Sequence, residues 1–310
     1  RCIYCMPEHG VKSIPRESVL TLEEVHKAIE CTSQLGIKHI RFTGGEPTVR
    51  KGLLSLIERT AQTPGIESVA LTTNAILLPG MAADLKAAGL SRVNISLDTL
   101  DAEQYRFITR LGNLDDALKG IEAALSAGLF PVKLNTVVVR SLNQDLLSFA
   151  RLTVDAPLHV RFIEYMPIGS GEDCGGCGWG PADVVPAKEI IETISAQAQS
   201  IGLESLQPAI ATPDGWGPAQ YYRLPGAQGT VGVIPAISNH FCASCNRLRL
   251  TADGKIKPCL FSDTEYDIRS ALRKGSEEEV LSVFKAALFH KPSGHEHRVG
   301  TRRMMSQVGG

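Results

Sequence analysis

The sequence predicts an α/β fold in which a (β/α) barrel, whole or partial, is followed by a smaller C-terminal part. Three observations carry this expectation. Helical and strand patterns alternate with short joins from about residue 20 to 165, as expected of βαβ units and a parallel sheet. Polar residues recur two apart near the ends of successive strands, which places them on one face. Beyond residue 167 glycine and proline become dense and the repeating unit stops. A chain of 310 residues has room for two domains, expected as a barrel core over 1–170 and a C-terminal part over 171–310.

The first unit opens on Thr21-Leu22-Glu23-Glu24, a capping box. Leu22, Val25, Ile29 and Leu35 follow at helical spacing until Gly36 closes the helix. A strand over 37–43 then runs into Gly44-Gly45-Glu46-Pro47. Helices over 51–62, 80–88, 113–127 and 144–153 alternate with strands over 66–73, 92–97, 131–139 and 158–164. That count suits a doubly wound sheet or a barrel, and the alternation within strands favours the barrel. Arg41 and Thr43, Thr72 and Asn74, Asn94, Ser96 and Asp98, Lys133 and Asn135, and Glu164 and Met166 stand near strand C-termini. Enzymes of this class build their sites there. An inward Arg41 or Lys133 needs an anionic partner or a wet cavity. The bland alternative is a polar plug with ordinary ion pairs to Glu164 or Asp98. After the glycine-rich stretch come a helix over 187–199 and brief strands over 221–224 and 230–234. A last helix starts at the Ser276-to-Glu279 capping box and runs to about 288. The tail beyond it carries His290, His295, His297, Arg302 and Arg303.

Lys+Arg at 32 against Asp+Glu at 33 argues against a nucleic-acid coat. No apolar run approaches the ~18–20 residues of a membrane span. Eight cysteines are too thin for a disulfide scaffold. Their spacing is informative: Cys2/Cys5, Cys174/Cys177 and Cys242/Cys245 are C-x-x-C pairs, with Cys31 and Cys259 left over. Such pairs suit metal ligation or redox chemistry in a reducing compartment, here the cytoplasm. Downstream of Cys245, Asp253-Gly254 signals a hairpin. If 252 pairs with 255, then 248 pairs with 259 and Cys259 returns to the level of the first two cysteines. Three thiolates there fit a zinc site completed by His240. They equally fit an iron–sulfur cluster with one iron open to a non-protein ligand. Arg247 and Arg249, two apart, suit a phosphate or a solvated hairpin edge.

Arg1-Cys2-Ile3-Tyr4-Cys5-Met6-Pro7 and Gly44-Gly45-Glu46-Pro47 resemble the cysteine and glycine motifs of radical S-adenosylmethionine enzymes. Cys242-x2-Cys245-x13-Cys259, enclosing Arg247-Leu248-Arg249, and the Gly309-Gly310 terminus narrow this to one group. Over its whole length the chain resembles the GTP 3′,8-cyclase family. The resemblance implies a partial (β/α) barrel, two [4Fe-4S] clusters and S-adenosylmethionine. It also implies conversion of GTP to 3′,8-cyclo-7,8-dihydroguanosine 5′-triphosphate, the first step of molybdenum cofactor biosynthesis. Cys2 and Cys5 would hold the first cluster. The family's third cysteine falls four residues ahead of Cys2, before the first residue given, so the chain as written has two of three ligands. The expectation is an omitted segment, or else an inactive chain. Cys242, Cys245 and Cys259 would hold the second cluster, which meets guanine. Tyr4, Gly45, Ser96 and Met166 match positions that touch S-adenosylmethionine. Arg41, Thr72, Lys133, Arg247, Leu248 and Arg249 match positions that touch GTP. Arg247, Arg249, Gly309 and Gly310 are implied in catalysis, although without the family a Gly-Gly end is as readily a frayed tail.

Implied partners are GTP, a flavodoxin-type electron donor and cyclic pyranopterin monophosphate synthase as acceptor of the product, with no nucleic acid and no membrane. Two other functions compete: another radical enzyme with an auxiliary cluster, and a non-catalytic zinc- or iron-binding module. Cys174 and Cys177 lie outside the family pattern and would bind zinc, form a redox pair or do nothing. Cys31 is expected as a buried small hydrophobe. The tail histidines are expected in a solvated or phosphate-facing segment.

Overall fold

The computed structural model describes all residues except 12, 169–178, 216, 240, 295–300, 302 and 310. Cys174, Cys177, His240, His295, His297, Arg302 and Gly310 therefore lie outside the described residues. Five parallel strands alternate with helices in the N-terminal half: β1 (His39–Phe42), β2 (Ser68–Thr73), β3 (Arg92–Ser96), β4 (Val132–Val138) and β5 (Leu158–Glu164). The helices are α1 (Leu22–Gln34), α2 (Leu53–Gln62), α3 (Ala82–Ala87), α4 (Ala102–Thr109), α5 (Leu114–Ser126) and α6 (Leu146–Asp155). Helix α4 was not expected. Its signals are an Asp101 cap on the Gln104 N–H and a buried Tyr105 and Ile108 three apart. The Thr21 and Ser276 capping boxes both form.

Helix α7 (Ala187–Ser200) leads through β6 (Gln207–Pro208) and β7 (Gln220–Arg223) to β8 (Thr230–Ile234). Strand β8 runs parallel to β5, and β7 and β6 continue antiparallel, in the order β1-β2-β3-β4-β5-β8-β7-β6. The two ends of that order are not paired, so the barrel is partial. The sheet also crosses the expected boundary at 170/171, because residues beyond 200 supply three of its strands. One apolar core lies between this sheet and its helices. A second joins α1 to the C-terminal β9 (Arg249–Leu250), β10 (Lys255–Lys257) and β11 (Tyr266–Asp267) and to helices α8 (Arg269–Lys274) and α9 (Glu277–Phe289). Cys31 is buried in it, as expected. A last short helix, α10 (Met305–Val308), closes the described tail. No helix among the described residues is long and apolar enough to cross a membrane.

Two expectations are corrected. The hairpin pairs Ile256 with Leu250 and Lys257 with Arg249, one residue out of the expected register. Thr251 and Lys255 close a three-residue loop, with Gly254 at φ +76°, a loop type that wants glycine at its left-handed position. Continued along β10, this register sets Cys259 opposite Arg247 rather than Leu248. Glu164 is not part of the polar face. The ladder aligns Lys133 with His159 and Asn135 with Arg161, so the inward residues of β5 are His159 and Arg161. The Glu164 side chain, fully buried, accepts hydrogen bonds from Ala187 N–H at 2.6 Å, Ile237 N–H at 2.7 Å and Ser238 N–H at 2.8 Å. It ties the start of α7 to the chain leaving β8. Removing it leaves buried donors without acceptors. Glu164→Ala is expected to cost roughly 3 kcal/mol, read as a lower urea midpoint; an unchanged midpoint would contradict this account.

Candidate active site

Parallel pairing keeps registered residues on one face, and the inward face is layered. Arg41, Ala70 and Arg92 form one row; Thr72, Asn94, Lys133 and His159 the next; Ser96, Asn135 and Arg161 a third. Arg161 is nearly fully buried, and amide oxygens hold it in place: Nε donates to Asn135 Oδ1 at 2.9 Å and a terminal nitrogen to Asn94 Oδ1 at 2.7 Å. Asn94 in turn donates to Thr72 Oγ1 at 3.4 Å. Arg92 donates to Ser68 Oγ at 2.9 Å. Arg92 and Arg161 were not singled out from the sequence. The same two-residue alternation that exposed Lys133 and Asn135 would have found them.

Arg247 and Arg249 join this group from the C-terminal hairpin. Arg247 lies 5.0 Å from the centre of the Phe241 ring, within cation–π range. Leu248 faces the other way and packs against the second core, so toward the cations it offers only its main chain. Arg41 is accessible to water, yet it stands in a recess walled by protein. Desolvation, then the fields of Arg161, Arg247, Arg92 and Arg249, push its pKa down to about 9. Desolvation likewise takes Lys133 down to about 7, with Arg161, Arg92 and Arg41 adding to it, and Arg249 down to about 10. His159 falls to about 4 by desolvation and the nearby Lys133 and Arg161. Guanidinium stays protonated at neutral pH regardless; the depressions reflect burial first and the neighbouring cations second. Among the described residues none of Arg41, Arg92, Lys133, Arg161, Arg247 and Arg249 forms an ion pair. Glu164 and Asp98, the expected partners under the bland alternative, are engaged elsewhere.

Asp98 holds the N-terminal cysteine loop. It accepts from Tyr4 Oη at 2.6 Å and from Val137 N–H at 2.9 Å; burial raises its pKa to about 6 despite both bonds. Tyr4 stacks on Trp179 at 6.1 Å. The loop is a tight turn, with the Cys5 and Met6 N–H groups on the Cys2 carbonyl and the Ile3 N–H on Ile108. The Cys2 thiol is raised by its bond to Cys5 and by burial, and that bond lowers Cys5. At the end of β1, Glu46 pins the glycine motif to β2. Its Oε1 accepts from Thr48 N–H at 3.1 Å and Thr73 Oγ1 at 2.7 Å, and its Oε2 from Asn74 N–H at 2.7 Å. A β-carbon at Gly44 or Gly45 would meet no protein atom within 4 Å, so the motif presents bare backbone to open space. Ser96 ends β3, exposed beside this opening, and Met166 follows β5 by two residues.

The tail folds back over the same end. Arg303 bonds to both carboxylate oxygens of Asp253, at 3.0 and 2.9 Å, and to Glu265. Six residues on, the buried Gly309 carbonyl accepts from Arg249. Gly309 sits at φ +78°, where a β-carbon would stand 2.5 Å from Thr43 Cγ2. Ser306 N–H meets the Cys5 carbonyl at 3.4 Å. Lys291 donates to the Arg247 carbonyl at 2.7 Å and the Pro258 carbonyl at 2.6 Å, joining the two arms that bear the C-terminal cysteines. Cys242, Cys245 and Cys259 are half-buried and none of them is in a disulfide among the described residues. Burial opposes ionisation of Cys245, but the Arg247 backbone, Lys291 and the Arg247 charge outweigh it and lower the pKa. Among the described residues no three His, Cys, Asp or Glu side chains gather around a point for a single metal ion. Thiols in short-range pairs are soft donors suited to iron–sulfur ligation. The open backbone at Gly44 and Gly45 suits a bound organic cofactor.

The Lys133 field has a measurable consequence. Its folded pKa of about 7 lies below the ordinary 10.5, so the unfolded chain binds more protons between those values and stability rises with pH there. Lys133→Met is therefore expected to gain most over the parent below pH 7. The gain should shrink as pH climbs from about 7 toward 10.5, as followed by denaturant midpoints. A pH-independent difference would contradict it.

Residues 1–152 match the Radical SAM superfamily and residues 158–297 match Molybdenum Cofactor Synthesis C. The GTP 3′,8-cyclase of Pelotomaculum thermopropionicum is 50% identical over all of this chain and 93% of its own length. Those of Moorella thermoacetica and Desulforamulus reducens are 49% and 46% identical with the same coverage. Among solved structures, native anSMEcpe with bound AdoMet aligns with a TM-score of 0.57 over 95% of this chain and 78% of its own. At 14% identity that likeness shows the fold alone. With a partial barrel and relatives matching end to end, the chain belongs to the GTP 3′,8-cyclase family of radical S-adenosylmethionine enzymes.

Proposed function

We propose that this chain catalyses its family's reaction, conversion of GTP to 3′,8-cyclo-7,8-dihydroguanosine 5′-triphosphate, the first step of molybdenum cofactor biosynthesis. The observation that supports it most is the cation layer. Arg41, Lys133, Arg161, Arg247 and Arg249 lie within one another's field and form no ion pair among the described residues; the nearest carboxylate is that of the exposed Asp214. A triphosphate supplies the missing negative charge, and guanidinium forks match its oxygens.

An iron–sulfur cluster with S-adenosylmethionine supplies, when bound, the one-electron chemistry that removes hydrogen from an unactivated ribose carbon. Cys2 and Cys5 are ligands of one [4Fe-4S] cluster and Cys242, Cys245 and Cys259 of a second. Tyr4, Gly45, Ser96 and Met166 border the S-adenosylmethionine site. Arg41, Thr72, Lys133 and the Arg247-Leu248-Arg249 run bind GTP. The chain's own residues bind, orient and exclude water: Asn94 and Asn135 fix Arg161, Arg249 holds the Gly309 carbonyl, and Gly309 packs on Thr43 just ahead of the glycine motif. Gly309 and Gly310 are the tail residues assigned to catalysis. A flavodoxin-type protein is the proposed electron donor, and cyclic pyranopterin monophosphate synthase the proposed acceptor of product.

The test is anaerobic incubation of reconstituted full-length protein with GTP, S-adenosylmethionine and a reductant. Formation of 5′-deoxyadenosine with a cyclised nucleotide, at about eight irons per chain, is expected. Zinc in place of iron, or cleavage of S-adenosylmethionine indifferent to GTP, would defeat the proposal. Gly309→Ala adds a second check. Its positive φ and the Thr43 contact leave no room for a methyl group. Product formation should fall at least tenfold while the GTP dissociation constant stays within about threefold; undiminished turnover would remove the tail from the reaction.

A further inference from the structure

The end of the barrel away from the glycine motif holds a contact that the reaction does not explain. Between β6 and β7, Asp214 and Gly215 lie against the cations. The Asp214 carbonyl accepts a hydrogen bond from the Lys133 ammonium at 2.6 Å. Gly215 sits at φ +113°, and a β-carbon there would stand 3.0 Å from Arg92 Nε and 3.2 Å from Lys133 Nζ. The backbone therefore lies directly on both cations, and only glycine fits. The Asp214 carboxylate is the negative group whose field acts on both Arg92 and Lys133. Asp214 is itself exposed, and it borders a cavity of about 390 Å³ lined also by Pro131, Pro157, His159, Thr212 and Pro213.

Position gives this contact its meaning. Arg92 opens β3 and Lys133 is the second residue of β4, whereas Ser96 and the glycine motif lie at the strands' other ends. Four residues of strand separate Arg92 from Ser96, about 13 Å at the usual rise. A nucleotide whose ribose lies near the glycine motif reaches Lys133 and Arg92 only with its most distal phosphate. A carbonyl is a weaker acceptor for an ammonium than a phosphate oxygen, and an exposed loop gives way more readily than a strand.

We infer that the Asp214–Gly215 turn is a displaceable floor of the triphosphate site and selects for the third phosphate. In the free protein its carbonyl satisfies Lys133 while its backbone covers Arg92, and the terminal phosphate takes its place. This rests on the cation layer being the triphosphate site.

Calorimetric titration of the whole protein with GTP, GDP and GMP tests it. Asp214→Asn removes the competing charge while keeping the carbonyl. GTP should then bind about three- to tenfold more tightly, GDP less so, and GMP within about twofold of the parent. Gly215→Ala, which forces the turn off the cations, should shift the three nucleotides in the same order. An equal change for all three, or none for GTP, would overturn the proposal and leave the triphosphate site standing. Lys133→Ala binding GTP like the parent would remove both, because the triphosphate would then lie elsewhere.

Discussion

Arg41, Arg92, Lys133, Arg161, Arg247 and Arg249 are brought into one cavity by separate strands and a hairpin, and their mutual repulsion is the constraint the rest of the structure accommodates. Two like charges about 7 Å apart repel by about 2 kcal/mol at an effective dielectric near 20. Several such pairs rival the whole stability of a domain. The fold meets this with neutral acceptors. Asn94 and Asn135 hold Arg161, Ser68 holds Arg92, a loop carbonyl holds Lys133 and the tail carbonyl holds Arg249. Each neutral oxygen is a good enough partner to position a cation and too weak to neutralise it. The cavity thus stays positive, and only an anionic ligand relieves it.

Apart from the exposed Asp214, the carboxylates around this site are spent on architecture. Glu164 collects three main-chain donors between α7 and the end of β8. Asp98 fixes Tyr4 and β4, and Glu46 fixes the glycine motif to β2. Asp253 and Glu265 clamp Arg303. Acidic groups thereby serve as brackets around the mouth while basic groups line its interior.

Much of this was legible in the sequence, because strand alternation and cysteine spacing are local properties. Arg41, Thr72, Asn94, Ser96, Lys133 and Asn135 follow from period two in each strand, and the strand over 158–164 was bounded as observed. What failed was phase. Glu164 ends β5 as Ser96 ends β3, so aligning strands by their ends put it on the wrong face and hid Arg161. Only the ladder, a tertiary property, sets that register. The hairpin slipped by one residue for a related reason, since Asp253-Gly254 is compatible with two- and three-residue loops. The position of Gly309 against Thr43 depends on a fold-back from Arg303, which no short-range pattern encodes.

The Arg303 clamp makes the segment from it to Gly309 a leash. Gly309 is six residues on from that anchor, and a fully extended stretch of that length spans only about 20 Å. If Gly309 lifts while the clamp holds, it remains within reach of the mouth, at a local concentration of the millimolar order typical of short tethers. Return is then a first-order event, independent of how dilute the protein is. The mouth can open for exchange and close again without the second core or the hairpin coming apart.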